Sequence, residues 1–340
     1  NYYLEKSSDL NMELTPSFSV KSILDKIPCQ SVSFDELSNV KNSSKYYDIE
    51  YFNKLRLEQV NSLGFLHINI ASLAKHIDEL SAMLSLIKYN FSFIGISETR
   101  LTESTGITSS INLTNYSFVD IKTRTNAGGV GFYVHNSIYK ITKIRHDLCF
   151  QSENGVEAVF VEIEQKGTKN IICGCIYKHP DMSVEDFMSS FMFKTLNVLG
   201  KENKFINLMG DFNINLLNYD NNSEISNFYD TLSCSFFQPQ ILQTSRVTLR
   251  SQTLIDNIFT NSIKYESISG NITCKISDHF PQFYVFKDYR LKKVNTLPVK
   301  FGRSYKNFRD DEFLEEVTRI DWSYLTEKNL DVDTLMTSFI

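Results

Sequence analysis

The pattern of apolar and polar positions becomes regular after residue 64. Residues 65–70 and 91–96 are apolar runs that predict buried strands. Between them, apolar residues recur at spacings of four and three, as on one face of an amphipathic helix: Leu73, Ile77, Leu80, Leu84 and Ile87. The sequence therefore predicts a β–α–β unit at the start of its regular part.

Strand candidates outnumber helix candidates further along the chain. Apolar or alternating runs predict strands at residues 130–135, 156–163, 171–177, 205–209, 254–259 and 282–286. Ser183 and Asp186 form a capping-box-like pair that opens one helix, and residues 223–234 predict another. This order of elements predicts an α/β fold, a four-layer sandwich of two packed mixed β-sheets flanked by helices.

The same pattern divides the chain into three parts. Residues 1–61 are polar and are predicted to be a partly helical or disordered extension. Residues 62–287 hold the core-building segments of one domain. Residues 288–340 predict a basic connector, with seven Lys or Arg and no acidic residue between positions 290 and 309, followed by the start of a helical segment.

Composition narrows the class of protein. A chain of 340 residues that is 42% hydrophobic and 22% charged is typical of soluble globular proteins, and no apolar run approaches the roughly 20 residues that cross a bilayer. Six cysteines lack the paired spacing of a zinc site, which predicts free thiols in a reducing compartment. The net charge of −5 is not the basic footprint of a nucleic-acid binder, but a metal-dependent nuclease concentrates carboxylates and so lowers the total.

Polar residues stand at or near the ends of several predicted strands: Asn69, Glu98, Tyr177, Asp211 and Asn213. Asp256 lies inside the motif LIDNIFTN, and Asp278 and His279 stand just before the last predicted strand. Each alone is also typical of a helix cap, a turn or a packed side chain. Together they offer the hard oxygen ligands that Mg²⁺ prefers and a histidine that can carry a proton near neutral pH. An EF-hand is excluded because Leu216 stands where its loop needs Gly, and the Gly128–Gly129 segment lacks the Lys of a phosphate loop.

Seven motifs in order, INIASL, SETRL, GGVGFYV, IYKHP, GDFN, LIDNIFTN and SDHFP, resemble the endonuclease/exonuclease/phosphatase superfamily. The likeness spans about residues 62–287 and is greatest to the apurinic-like endonuclease domain of non-LTR retrotransposons. It implies an enzyme, a Mg²⁺-dependent phosphodiesterase (with Mn²⁺ as an alternative ion) that nicks DNA. The tail resembles the connector to a downstream reverse transcriptase, which implies that enzyme as a partner domain, a nuclear location and no membrane.

The resemblance also implies metal and phosphate ligands. Glu98 would hold the cation, Asn69 would lie beside it at the metal or phosphate, and Asp278 would complete the acidic cluster. Tyr177 would donate its hydroxyl to the phosphate or the leaving group.

The remaining motif residues would carry the hydrolysis itself. Asp211 would orient and deprotonate the attacking water, and Asn213 would position that water. His279 would contact the scissile phosphate and be oriented by Asp256. A cation and a protonated His are both required by the chemistry, because a phosphodiester anion repels hydroxide.

The sequence departs from the usual motifs at Ala71, Asn257 and the pair Lys178–His179, where many relatives carry other residues. Substitutions at these positions are expected to change contacts with DNA more than they change metal binding or the activation of the attacking water. The candidates for phosphate contacts are basic residues that could equally be solvated surface charges: Lys122, Arg124, Lys178, Arg246 and Arg250. Two other functions stay open, another phosphodiesterase or phosphatase of the superfamily (acting in DNA repair or on inositol phosphates or sphingomyelin) and an inactive copy that serves as a binding module.

Overall fold

The structure, a computed structural model, describes residues 44–59, 61–103, 111–124, 127–153, 155–165, 167–262, 266–287, 289, 291 and 309–319. Those between 44 and 291 belong to one compact unit, and residues 309–319 belong to a second. Residues 1–43 of the predicted extension and nearly all of the predicted basic connector lie outside the described residues.

Within the described residues, seven strands build the first sheet: β1 (Lys45–Tyr47), β2 (Ser62–Asn69), β3 (Phe93–Ser97), β4 (Tyr116–Ile121), β5 (Val130–His135), β15 (Ser267–Ile272) and β16 (Gln282–Lys287). Their order across the sheet is β1, β15, β16, β2, β3, β5, β4. The pairs β1/β15 and β2/β3 are parallel, and the others are antiparallel, so the sheet is mixed.

The second sheet, counted over the same residues, also has seven strands: β6 (Thr142–Ile144), β7 (Phe150–Gln151), β8 (Val156–Ile163), β9 (Ile171–Lys178), β10 (Phe205–Asp211), β11 (Gln238–Pro239) and β14 (Asp256–Thr260). Six run in the order β11, β14, β10, β9, β8, β6, and β7 pairs with β8 off that path. Strands β9 and β10 are parallel. A separate two-stranded hairpin joins β12 (Arg246–Val247) to β13 (Gln252–Thr253).

Helices lie on the outer faces of both sheets. The first sheet carries α1 (Ile49–Lys54) and α2 (Leu73–Leu86), and a short α3 (Asn136–Tyr139) follows β5. The second sheet carries α4 (Val184–Phe187), a π-helical turn (Met188–Met192), α5 (Phe193–Leu199), a 3₁₀ turn (Leu216–Asn221) and α6 (Ser223–Cys234). The side chain of Ser183 accepts from the backbone of Asp186 at the start of α4, which confirms the predicted cap.

Among the residues that the structure describes, three buried clusters fill the spaces between these layers. Between the sheets, aromatic side chains of β2 and β3 stack, as in Phe65 and Phe93, whose ring centroids are 5.8 Å apart. The other clusters join each sheet to its helices, through Phe52 and Leu80 on one side and Phe228 on the other. The predicted four-layer α/β sandwich is therefore confirmed.

Residues 44–59 belong to the folded domain, although their polar composition predicts an extension outside it. Residues 45–47 pair in parallel with β15, and Tyr47 and Phe52 are buried in the helix–sheet cluster of the first sheet. The expectation of a polar extension up to residue 61 is thus corrected, because residues 44–59 contribute a strand, a helix and core side chains. The strand is only three residues long, and its partner lies more than 200 positions away in sequence. Local pattern cannot reveal such a pairing.

The second unit is described by one helix, α7 (Asp310–Arg319), which begins where the sequence turns acidic. Across all described residues, none of the helices combines the length and the apolar character needed to cross a bilayer.

Candidate active site

The strand-end residues predicted from sequence meet at one edge of the two sheets. Asn69 ends β2 and Glu98 follows β3, which runs parallel to it. Tyr177 and Asp211 are register partners on the parallel strands β9 and β10, and Asp211 is also paired with Asp256 on β14. Because parallel strands end at the same edge of a sheet, these side chains converge although their positions span most of the fold.

The amide of Asn69 connects the two sheets at this edge. Its Nδ2 donates to Glu98 Oε1 at 2.9 Å and to Asp211 Oδ2 at 2.8 Å. Its Oδ1 accepts from the backbone of Ala71 at 3.1 Å. The Tyr177 hydroxyl also donates to Glu98 Oε1, at 3.3 Å. Asn69 therefore fixes the spacing between the two carboxylates.

Backbone strain is concentrated at the same place. Ala71, Glu98, Arg100 and Asn213 all have φ between 47° and 54°, in the left-handed region that side-chain-bearing residues rarely adopt. Such conformations persist only where surrounding contacts hold them, and they cluster at functional sites. The loops that present Asn69, Glu98 and Asp211 are thus held in specific, disfavoured shapes.

His279 and Asp256 form a buried pair beside Asp211. His279 Nδ1 lies 2.8 Å from Asp256 Oδ2, and the Ser245 hydroxyl donates to the same oxygen at 2.8 Å. Burial by itself would lower the pKa of His279, but the Asp256 carboxylate outweighs burial and raises that pKa to about 9. Burial acts upward on the pKa of Asp256, and the charge of His279 overcomes it and lowers that pKa. The pair is therefore an imidazolium–carboxylate at neutral pH.

Asp211 is the buried carboxylate at the centre of the site. Burial raises its pKa to about 7, and the neighbouring charge of Asp256 acts in the same direction. Its Oδ1 accepts from the backbone of Asn213 at 3.0 Å, while Asn213 Nδ2 donates to the carbonyl of Lys178 at 2.8 Å. A carboxylate with a pKa near neutrality has the basicity that a general base requires.

The side chains at this edge fit a divalent cation. Glu98 and Asp211 offer carboxylate oxygens, and a carboxylate oxygen of Asp256 lies within 4.8 Å of one of Asp211. Asp256 Oδ1 is buried and has no hydrogen-bond partner among the described residues. Hard oxygen donors of this kind are the ligands of Mg²⁺ and Mn²⁺.

Other predicted residues lie around this centre. Asp278 is exposed, its Oδ2 accepts from Arg246 Nε at 2.7 Å, and its Oδ1 lies 3.9 Å from His279 Nε2. Arg246 thus neutralises Asp278 at the base of the β12–β13 hairpin, and Arg250 is exposed at the tip of that hairpin.

The remaining basic candidates differ in their surroundings. Lys178 is buried, its Nζ donates to the carbonyl of His179 at 3.1 Å, and burial lowers its pKa. Arg124 is exposed and lines a small cleft that also contains Tyr177 and His179. Lys122 Nζ lies 3.5 Å from Glu103. Phosphate contacts by these side chains stay a prediction, with Arg124 the most accessible of the three.

Sequence reasoning missed two residues that shape the site. Arg100 donates to Glu98 Oε2 at 3.1 Å, and Ser245 holds Asp256. Arg100 stands two positions after Glu98 in SETRL, so the motif contained the signal. Ser245 has no such signal, because its position depends on packing of the loop before β12.

Similar solved structures share this fold. The AP endonuclease LMAP from Leishmania major is 15% identical, with 75% of this chain and 99% of that chain covered and a TM-score of 0.55. The APE2 catalytic domain from Xenopus laevis is 14% identical, with 69% and 94% covered and a TM-score of 0.51. The endonuclease domain of TRAS1, a telomere-specific non-LTR retrotransposon, is 13% identical, with 67% and 100% covered and a TM-score of 0.48. Because its score lies below 0.5, that last likeness carries no argument about this chain.

No protein-family model matches the chain, and no curated protein matches it in sequence. The structural likeness to the two AP-endonuclease structures with scores above 0.5 establishes the fold alone, a sandwich of two mixed β-sheets flanked by helices.

Proposed function

We propose that this chain is a divalent-metal-dependent phosphodiesterase that nicks DNA and is the endonuclease part of a non-LTR retrotransposon polyprotein. The observation that carries the proposal is the Asn69 amide, which joins Glu98 on one sheet to Asp211 on the other, with the His279–Asp256 pair beside them. Carboxylates, an imidazolium and a phenol hydroxyl at one strained edge suit attack on an anionic phosphate.

The proposed roles follow from the contacts of each side chain. The His279 imidazolium, fixed by Asp256, donates to a phosphate oxygen and offsets its charge. Asp211 accepts a proton from water, and the Asn213 backbone N–H holds its other oxygen in place. Tyr177, whose pKa is raised by burial, stays protonated and can donate to the phosphate or the leaving oxygen. Mg²⁺ or Mn²⁺, held by Glu98 with Asn69 and Asp278 near it, would neutralise charge on the phosphate.

DNA as the substrate is supported by the fold and by the exposed Arg124 and Arg250. The retrotransposon branch is supported by the SETRL and LIDNIFTN motifs and by the basic segment before residue 310. A reverse transcriptase as the downstream partner domain and a nuclear location belong to the same proposal.

The test is nicking of supercoiled plasmid by the full chain with Mg²⁺, repeated with excess chelator and after Mg²⁺ is restored. We expect nicked circles only when free metal is present. Undiminished nicking in chelator would contradict the metal assignment. Failure to cut DNA together with efficient cleavage of a phosphoinositide or sphingomyelin would assign the protein to another branch, and failure on all three substrates would indicate the inactive copy.

A further inference from the structure

Glu98 lies in a loop segment whose backbone conformation is held by hydrogen bonds to another part of the chain. Glu98 and Arg100 have φ of 51° and 54°, on either side of the buried Thr99. Two backbone hydrogen bonds hold this segment, from Thr99 N to the Gly129 carbonyl at 3.1 Å and from Arg100 N to the Gly128 carbonyl at 2.8 Å. The direction in which Glu98 projects therefore depends on the position of the Gly128–Gly129 turn.

That turn approaches its neighbours too closely for any side chain. Gly128 and Gly129 have φ of +97° and +87°. A Cβ on Gly129 would lie 2.2 Å from Thr99 Oγ1, and a Cβ on Gly128 would lie 2.5 Å from Glu157 Oε2. The turn is thus packed between the Glu98 loop on one side and the Glu157 carboxylate on the other.

Glu157 reaches this turn from the second sheet. It lies on β8 with only 7% of its surface exposed, and its Oε2 accepts the N–H of Gly129. Its Oε1 accepts from Gln151 Nε2 at 3.4 Å, and that nitrogen also donates to the Lys122 carbonyl at 2.6 Å. Glu157 is the register partner of Tyr177, whose hydroxyl donates to Glu98. Glu157 on β8, through the Gly128–Gly129 turn, and Tyr177 on β9, through its hydroxyl, therefore both act on the Glu98 carboxylate.

We propose that Glu157 is a positioning residue for Glu98: its carboxylate anchors the Gly128–Gly129 turn, and the turn fixes the strained backbone that aims Glu98 at the cation. This inference rests on the proposed function, because it assigns Glu98 to a divalent metal. Removal of Glu157 frees the turn and leaves Glu98, Asn69 and Asp211 themselves unsubstituted. The expected result is weaker metal binding with little change in turnover once metal is saturating. Mutation of a group that orients a metal ligand without contacting the metal typically weakens metal affinity about 10- to 100-fold.

The experiment measures Mn²⁺ binding to the full chain by loss of the free-ion paramagnetic resonance signal, without DNA. Glu157→Ala should weaken Mn²⁺ binding about tenfold, at the lower end of that range. Glu157→Gln keeps an acceptor oxygen for Gly129 and should bind Mn²⁺ nearly as the parent does. Glu162→Ala is the matched control, since it deletes another buried carboxylate from the other end of β8 and should leave Mn²⁺ affinity unchanged.

The Mn²⁺ dependence of nicking adds a second readout. The concentration for half-maximal rate should rise for Glu157→Ala, and the rate at saturating Mn²⁺ should stay within about twofold of the parent, because the groups assigned to acid–base chemistry are intact. Should the alanine variant fail to fold by circular dichroism, Glu157→Met replaces it, because Met fills similar space and accepts no strong hydrogen bond. A parent that binds no Mn²⁺ overturns the proposed function. If the parent binds Mn²⁺ and a folded Glu157→Ala or Glu157→Met variant binds it with the same affinity, only the role of Glu157 is overturned.

Discussion

At the scale of single residues, the site depends on carboxylates held in surroundings that disfavour them. Asp211 is buried next to a second buried carboxylate, Asp256, and Asn69, the Asn213 backbone and the charge of His279 are among the groups that offset the cost. Such an arrangement is costly for folding, since buried charges require partners. Its presence at one edge of the sheets is the strongest sign that the edge has a chemical role.

Asp211→Asn separates catalysis from folding. The amide keeps the size of Asp211 but removes its basicity, so nicking should fall about 10²- to 10⁴-fold. The fold should persist, because relief of repulsion with Asp256 offsets the less favourable contact with the Asn69 amide. The measurements are plasmid nicking at saturating Mg²⁺ and the melting temperature. Asp78→Asn on the exposed face of α2 is the control and should leave both unchanged. A folded Asp211→Asn protein with near-parental nicking would falsify the assigned role.

His279 is less suited to that test. Truncation to Ala would leave the Asp256 carboxylate buried beside Ser245 without its cation. Removal of one partner from a buried pair costs roughly 3–5 kcal/mol of stability. Loss of activity in His279→Ala would therefore mix chemistry with unfolding.

At the scale of elements, β1 and α1 show how a polar segment becomes part of the core. Tyr46 donates to the Thr244 carbonyl at 3.0 Å and packs edge-on against Phe280, next to His279. Ser44 contacts Gln243 in the same loop. The N-terminal strand thus supports the loop before β12 and the segment before β16, which carry Ser245 and His279.

Phe52→Ala tests whether this segment belongs to the domain. Phe52 is buried against Phe91 and Phe283, so truncation should cost about 3–5 kcal/mol of unfolding free energy. Tyr51→Ala in the same helix is the matched control, because Tyr51 is 45% exposed and should lose much less. Chemical denaturation of the full chain gives both values. Equal, small losses would show that residues 44–55 are a dispensable extension.

The β12–β13 hairpin offers the second test at this scale. Arg250 is exposed at its tip, whereas Arg246 is paired with Asp278. If Arg250 contacts a phosphate, Arg250→Ala should weaken DNA binding on all sequences and lower the salt slope by about one. Binding is measured at several salt concentrations. Lys143→Ala, at an exposed ion pair on β6, serves as the comparison. An unchanged slope in Arg250→Ala would place the phosphate contacts elsewhere.

At the scale of the whole molecule, the end of the second sheet opposite the site is stabilised by charge. Glu162 on β8 lies 2.7 Å from Arg145 and 2.8 Å from Lys204, and Arg145 also pairs with Glu202 at 2.6 Å. Burial acts upward on the pKa of Glu162, but hydrogen bonds from Lys204, Asn170 and Arg145 outweigh it, so that pKa lies below its ordinary value. The hydrogen bond from Arg145 lowers the pKa of Glu202.

A lowered pKa in the folded state means stability that is present at neutral pH and lost on acidification. The loss begins near the ordinary Glu pKa of about 4.3 and continues as pH falls through the folded-state values. Glu162→Gln should therefore melt lower than the parent at pH 7 and show a flatter decline between about pH 5 and 3. Melting temperatures across that range provide the check, with Glu266→Gln, at an exposed ion pair with Lys287, as the control. Parallel pH profiles for Glu162→Gln and the parent would exclude this source of stability.

The sequence by itself determined the fold class, eight of the sixteen strands among the described residues and the list of residues at or near the strand ends. Strands such as β5 and β8 match their predicted bounds, because buried strands read as short apolar runs between turn residues. The structure brings Asn69, Glu98, Tyr177, Asp211, Asp256 and His279 together, as their positions at strand ends led us to expect.

Only the tertiary structure decided how these residues are connected. In the tertiary structure β1 pairs with β15, and Asp278 forms an ion pair with Arg246. Lys178 is buried, and Glu157 accepts a hydrogen bond from the turn that holds the Glu98 loop. Each of these depends on contacts between residues far apart in the chain, and on which polar group loses its water when two sheets pack. Periodicity records which face of an element is apolar, whereas the partner of a buried charge is chosen by the packing of the whole molecule.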